Sequence, residues 1–118
     1  MEFSGRVVAV TGAARGIGRA LAAAARARGA TVVALDRDGA GAEAVAAELG
    51  GRAYAIDVGD PEAVAAALAG IEAGIGPIAL YCSNAGILER DPDPELATSA
   101  DPESWARSWS VNVMGHVH

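Results

Sequence analysis

Residues 11–18 read Thr-Gly-Ala-Ala-Arg-Gly-Ile-Gly, a glycine-rich turn between a β-branched run and an alanine-rich run. Each glycine has a physical job. Gly12 permits a sharp exit from a strand. Gly16 lets backbone approach a pyrophosphate with no Cβ in the way, and Gly18 lets the following helix pack closely on the sheet. The helix N-terminus then turns free N–H groups and a partial positive charge toward the phosphates. Any tight strand-to-helix turn uses glycines, so the weight of the motif comes from its place after a first strand and at the start of a helix. Asp36 follows Gly18 by 18 residues, at the end of the second β-branched run. An ordinary loop acid is the bland reading. After this turn, a carboxylate there accepts hydrogen bonds from the adenosine ribose hydroxyls and repels the extra phosphate of NADP. Arg15 and Arg37 pull the other way, because each can help neutralise a 2′-phosphate. NAD is the expected cofactor and NADP the less favoured one, since the carboxylate occupies the ribose position itself.

The elements that must position these groups are legible as alternating patterns. Arg6 to Thr11 and Thr31 to Leu35 are short apolar runs, as strands buried on both faces require. Ile17 to Arg28 is an alanine-rich helix, with Ile17, Leu21 and Ala24 on one face and Gly29 as its stop. A second helix carries Ala42, Val45, Ala46 and Leu49 at helical spacing and stops at Gly50-Gly51. Ala53 to Ile56 is the third strand. Asp60-Pro61 starts a helix with Asp as N-cap and Pro at the first position, and its stripe is Val64, Leu68 and Ile71. Ile78 to Cys82 is the fourth strand. The acidic stretch from Leu88 to Ala100 reads as a solvated loop, and Asp101-Pro102 starts a last helix with Trp105, Trp109 and Asn112 in line. The alternation predicts an α/β fold with helices on both faces of a parallel sheet. Right-handed crossovers make it a doubly wound, Rossmann-type sheet, with strand order 3-2-1-4 for the part present.

Composition narrows the function classes. The chain has 118 residues, enough for one domain at most, and is 52% hydrophobic. Its net charge is −6 and it has no basic stripe, which argues against nucleic acid. No apolar run approaches the roughly 18 residues that span a bilayer, and the N-terminus has no signal-like segment, so no membrane partner and a cytoplasmic setting are expected. Cys82, the one cysteine, cannot form a disulfide within the chain and reads as a small buried hydrophobe. His116 and His118 alone do not make a metal site, and no metal is assigned.

The turn spacing is T-G-x-x-x-G-x-G, and it resembles that of the short-chain dehydrogenase/reductase family over the whole chain from Gly5. The extended branch, which includes nucleotide-sugar epimerases, spaces its glycines as T-G-x-x-G-x-x-G and fits less well. The resemblance assigns Gly12, Arg15, Gly16, Ile17, Gly18, Asp36 and Arg37 to the cofactor. Asp57 would contact the adenine amino group and the Val58 backbone N–H a ring nitrogen. Ser83-Asn84-Ala85-Gly86 resembles the family's Asn-Asn-Ala-Gly segment beside the cofactor, with Ser83 in place of the first Asn. Ser110 to Gly115 resembles the family's next signature, in which Asn112 is the first member of a catalytic Asn-Ser-Tyr-Lys tetrad. Trp105 and Trp109 read as core or interface packing, and this helix commonly joins subunits in the family, so a homodimer or homotetramer is expected.

The function so implied is NAD-dependent hydride transfer between the cofactor and a secondary alcohol or ketone. The family's catalytic Ser and Tyr-x-x-x-Lys correspond to sequence beyond residue 118. Neither Tyr54 nor Tyr81 fits the catalytic Tyr, and all nine basic residues are Arg. The chain alone is therefore expected to be inactive, an N-terminal part of the binding domain whose fourth strand leaves an open edge and whose last helix is cut in its middle. The alternative is a catalytically silent nucleotide-binding or assembly module.

Overall fold

The computed structural model describes residues 2–86 and 102–116. Four strands, β1 (Val7–Thr11), β2 (Thr31–Asp36), β3 (Arg52–Ala55) and β4 (Ile78–Cys82), form one sheet in the order β3-β2-β1-β4. All three pairings are parallel. Every residue of β1 is buried, and so are Val32 to Leu35 of β2. Alternation along the strands divides the core between two faces. Val8, Val10, Val32 and Ala34 face one helix layer, and Val7, Ala9, Val33 and Leu35 face the other. The helices are α1 (Gly16–Ala27) and α2 (Gly39–Leu49) on the first face, α3 (Pro61–Gly74) on the second, and α4 (Pro102–Asn112). This is the doubly wound α/β sheet that the alternating pattern predicts.

The capping signals act as their chemistry requires. Asp60 accepts hydrogen bonds from the N–H groups of Glu62 and Ala63 at 3.1 and 3.3 Å, with Pro61 following it. Asp38 caps α2 by accepting from the Gly41 N–H at 3.0 Å, and Gly50 closes that helix in a left-handed conformation, φ 68°.

Three expectations need correction. The buried face of α1 is Gly18, Ala22 and Ala25, whereas Ile17 is 73% exposed and Leu21 and Ala24 also face solvent. The smallest residues point inward because only they let the helix axis come close to the strands. Strand β3 runs one residue earlier than its apolar pattern suggests, although the Ile56 N–H still donates to the Asp36 carbonyl at 3.1 Å. The last helix is not in mid-course at the final described residues: α4 ends at Asn112 and a 3-10 turn follows over Met114–His116. That turn seats Gly115 against Val58, where a Cβ would lie 2.7 Å from Val58 Cγ2.

Strand β4 is a sheet edge among the described residues and is only partly buried, as an outer strand would be. Trp109 is 60% exposed and so is not core. The acidic stretch 88–100, Asp101, the Trp105 side chain and His118 lie outside the described residues. No helix among the described residues is long and apolar enough to cross a membrane.

Candidate functional site

The strand order reverses between β1 and β4, and the carboxyl ends of parallel strands diverge at such a point to leave a crevice. Thr11, at the tip of β1, is fully buried and ties that tip to the end of β4. Its hydroxyl accepts hydrogen bonds from the Asn84 and Ala85 N–H groups at 2.9 and 3.0 Å and donates to the Cys82 carbonyl at 3.4 Å. The Asn84 amide Nδ2 donates back to the Thr11 carbonyl at 3.3 Å. The turn that follows is packed to the limit. Gly12 has φ 66°, and a Cβ there would lie 2.9 Å from Ala85 Cα. At Gly18 a Cβ would run into the Gly12 carbonyl oxygen and lie 2.7 Å from Asn84 Nδ2.

Gly16 differs. It also has a left-handed backbone, φ 60°, yet nothing lies within 4 Å of the Cβ position. The helix it opens has no side-chain cap and no acid in its first turn, while α2 and α3 are capped by Asp38 and Asp60. Its first N–H groups are thus left to an exogenous acceptor or to water.

A cavity of about 570 Å³ opens beside this turn, within the usual range for small-molecule sites. Gly12, Arg15, Asp36, Arg37, Asp57, Val58, Asn84, Ala85 and Gly86 line it, with apolar walls from Leu35, Ile56 and Val111. The half-buried Asp36 carboxylate is held in place: Oδ2 accepts from the Ala14 N–H at 3.0 Å and Oδ1 from the Asp38 N–H at 2.9 Å. Asp57 Oδ1 accepts from the Gly59 N–H at 2.8 Å, which fixes the end of β3.

The sequence-derived cofactor residues thus fall in one place, with three exceptions in detail. Gly16 and Ile17 are exposed at the helix start, and Gly18 lies buried beneath it; none of the three lines the cavity. Asn112 is exposed at the last position of α4 and also lies outside the lining. It borders Gly86, where a Cβ would come within 3.4 Å of its Oδ1. Sequence reading missed Asp38, which lines the cavity and pairs with Arg15 at 3.2 Å, and gave Thr11 no role. Asp38 was findable as a helix-starting acid two residues after Asp36. The Ser83 hydroxyl hydrogen-bonds His116 Nδ1, so the residue that departs from the family's Asn has found a partner on the turn after α4.

Burial pushes the Tyr81 phenol up, the wrong direction for a group that must exchange a proton near neutrality. Burial likewise pushes the Cys82 thiol up, and the half-buried side chain packs against the α1–α2 face of the core. A raised pKa means less thiolate at any given pH. Alkylation of native Cys82 by iodoacetamide is therefore expected to be slow at pH 7 and to accelerate only above the pH at which a free cysteine does. A rate equal to that of free cysteine at pH 7 would show the thiol to be unperturbed.

The sequence profile described as "short chain dehydrogenase" matches residues 6–118. The D-threitol dehydrogenase of Mycolicibacterium smegmatis is 39% identical, over 97% of this chain and 44% of its own length. The 3-oxoacyl-[acyl-carrier-protein] reductase of Escherichia coli is 40% identical, over 74% of this chain and 36% of its own. The crystal structure of 3-ketoacyl-(acyl-carrier-protein) reductase from Brucella melitensis, complexed with NADH, superposes with a TM-score of 0.88 at 37% identity, covering 98% of this chain and 47% of that one. The chain belongs to the short-chain dehydrogenase family of oxidoreductases, with the family's Rossmann-type sheet in the order 3-2-1-4. It spans less than half the length of these relatives.

Proposed function

We propose that this chain is the NAD-binding part of an oxidoreductase that moves a hydride between the nicotinamide cofactor and a secondary alcohol or ketone. The observation that carries the reading is the start of α1, which has no side-chain cap, has open space at the Gly16 Cβ position, and follows directly on Arg15 in the cavity lining. An anionic pyrophosphate is the chemistry that such a start accepts. Gly12, Arg15, Gly16, Ile17 and Gly18 form or border that seat. Asp36 takes the adenosine ribose hydroxyls, with Arg37 at the rim, while Asp57 and the Val58 N–H take the adenine edge. Asn84, Ala85 and Gly86 flank the inner part of the cofactor. The cofactor supplies the hydride chemistry, and the chain supplies binding and orientation.

The relatives named for D-threitol and for 3-oxoacyl groups support an alcohol or ketone carbon as the reacting centre. In this reading the proton-transferring Ser and Tyr-x-x-x-Lys belong to the part of the relatives' length that this chain does not span, in keeping with its lack of lysine. Asn112, beside Gly86, is then a positioning residue for that proton relay. Exposed Trp109 and Val113 support a homodimer or homotetramer built through α4.

Cofactor choice follows from Asp36, whose carboxylate meets ribose hydroxyls favourably and a 2′-phosphate unfavourably. In a fluorescence titration NADH is expected to bind about tenfold more tightly than NADPH, or better. Equal or tighter NADPH binding would overturn the NAD assignment, and failure to bind either would overturn the dinucleotide reading.

A further inference from the structure

We infer that Asp38 is a specificity-determining residue of this site, which disfavours a 2′-phosphate by holding the Arg15 guanidinium to itself. The inference rests on the dinucleotide reading above and adds to it a residue that the cofactor motif does not include.

Arg15 is the one cation of the glycine turn, and it lines the cavity. Its NH2 nitrogen lies 3.2 Å from Asp38 Oδ2. Asp38 is held by two further hydrogen bonds. Its Oδ1 accepts from the Gly41 N–H at 3.0 Å at the start of α2. Its own N–H donates to Asp36 Oδ1 at 2.9 Å. Asp36 in turn accepts from the Ala14 N–H at 3.0 Å, next to Arg15 in the chain. A closed set of contacts, Ala14 to Asp36 to Asp38 to Arg15, thus joins the turn, the tip of β2 and the start of α2. Gly41 keeps this set compact, since a Cβ there would strike the Asp38 carboxylate and lie 2.9 Å from Ala14 Cβ.

The side chains of the pair are 79% and 42% exposed, so the pair contributes little to stability. Its effect lies in where it directs the cation. A ribose 2′-phosphate arriving beside Asp36 would meet two fixed carboxylates, and the guanidinium that would best neutralise it is already engaged by one of them. Arg37, between the two acids in sequence, also lines the cavity, and any phosphate it met there would still lie beside both carboxylates. Asp36 alone accounts for ribose recognition, whereas Asp38 accounts for an Arg in the turn that does not confer NADP preference.

Asparagine caps helices as well as aspartate does, so Asp38→Asn removes the charge while keeping an acceptor for the Gly41 N–H. The test is direct titration of NADH and NADPH, by cofactor fluorescence, into the full chain, with far-UV circular dichroism confirming that each variant is folded. Asp38→Asn is expected to raise the NADPH-to-NADH affinity ratio about tenfold, a charge-assisted bond discounted for exposure. Adding Arg15→Ala to it should remove that gain. An unchanged ratio in folded Asp38→Asn, with wild type still preferring NADH, would overturn this inference and leave the dinucleotide reading intact. A gain that survives Arg15→Ala would also overturn it. A wild-type chain that binds neither nucleotide would overturn the dinucleotide reading, and this inference with it.

Discussion

Alanine at position 18 is expected to lower the unfolding free energy by about 3 kcal/mol, at the upper end of the range for overpacking a close-packed site. The added methyl has no free direction. It meets the Gly12 carbonyl, which is backbone, and the Asn84 amide, which is engaged with the Thr11 carbonyl. Relief requires α1 to back away from the turn or the turn to move off Ala85, and either shift disturbs the tips of β1 and β4 together. Urea denaturation followed by circular dichroism measures the loss. Gly16→Ala is the control, because its Cβ enters open space and carries only the strain of φ 60°, about 1–2 kcal/mol. A Gly18→Ala chain as stable as wild type, or no less stable than Gly16→Ala, would show that the close approach of helix and turn is not what the glycine serves.

Thr11→Val is the second large effect, with a loss of about 3 kcal/mol expected. The replacement nearly keeps the shape and puts a methyl group where the hydroxyl was. Two N–H donors, those of Asn84 and Ala85, then lose their acceptor at a partly buried site. Each orphaned donor costs about 1–3 kcal/mol. Thr11→Ser keeps the oxygen and should recover most of the loss. Because the same two residues form one wall of the cavity, nucleotide affinity should fall in Thr11→Val even at temperatures where it remains folded. A Thr11→Val chain within about 0.5 kcal/mol of wild type, the ordinary range for inconsequential surface changes, would mean that the clasp between β1 and β4 is not energetically significant.

Thr11 and Gly18 also show which parts of the structure were legible in the sequence. The sheet order, the four strands and the Asp60 cap follow from local signals: β-branched runs buried on both faces, and an acid placed before a proline-led helix. The residues proposed for the cofactor come together because the glycine turn, Asp36, Asp57 and Asn84 all sit at the carboxyl ends of strands in one parallel sheet, and that common end is implied by the alternation itself. The facing of α1 was not legible. Ile17 and Leu21 look like a core stripe by size, but close approach to the sheet selects Gly18, Ala22 and Ala25, and a helix this rich in alanine carries no size signal for its inner face. Nor was the role of Asp38 legible. Its pairing with Arg15 joins residues 23 apart in sequence and depends on the exact turn between β2 and α2. The Ser83–His116 bond, across 33 residues, was hidden for the same reason.

The central claim is that the cavity at the strand tips holds a dinucleotide through the start of α1. Backbone amide chemical shifts of the full chain during an NADH titration test it most directly. Saturable shifts are predicted at residues 12–18, at Asp36, at Asp57 and Val58, and at Asn84 to Gly86, with the exposed far end of α3 unmoved. Absence of saturable shifts, or shifts gathered on α3 instead, would contradict it.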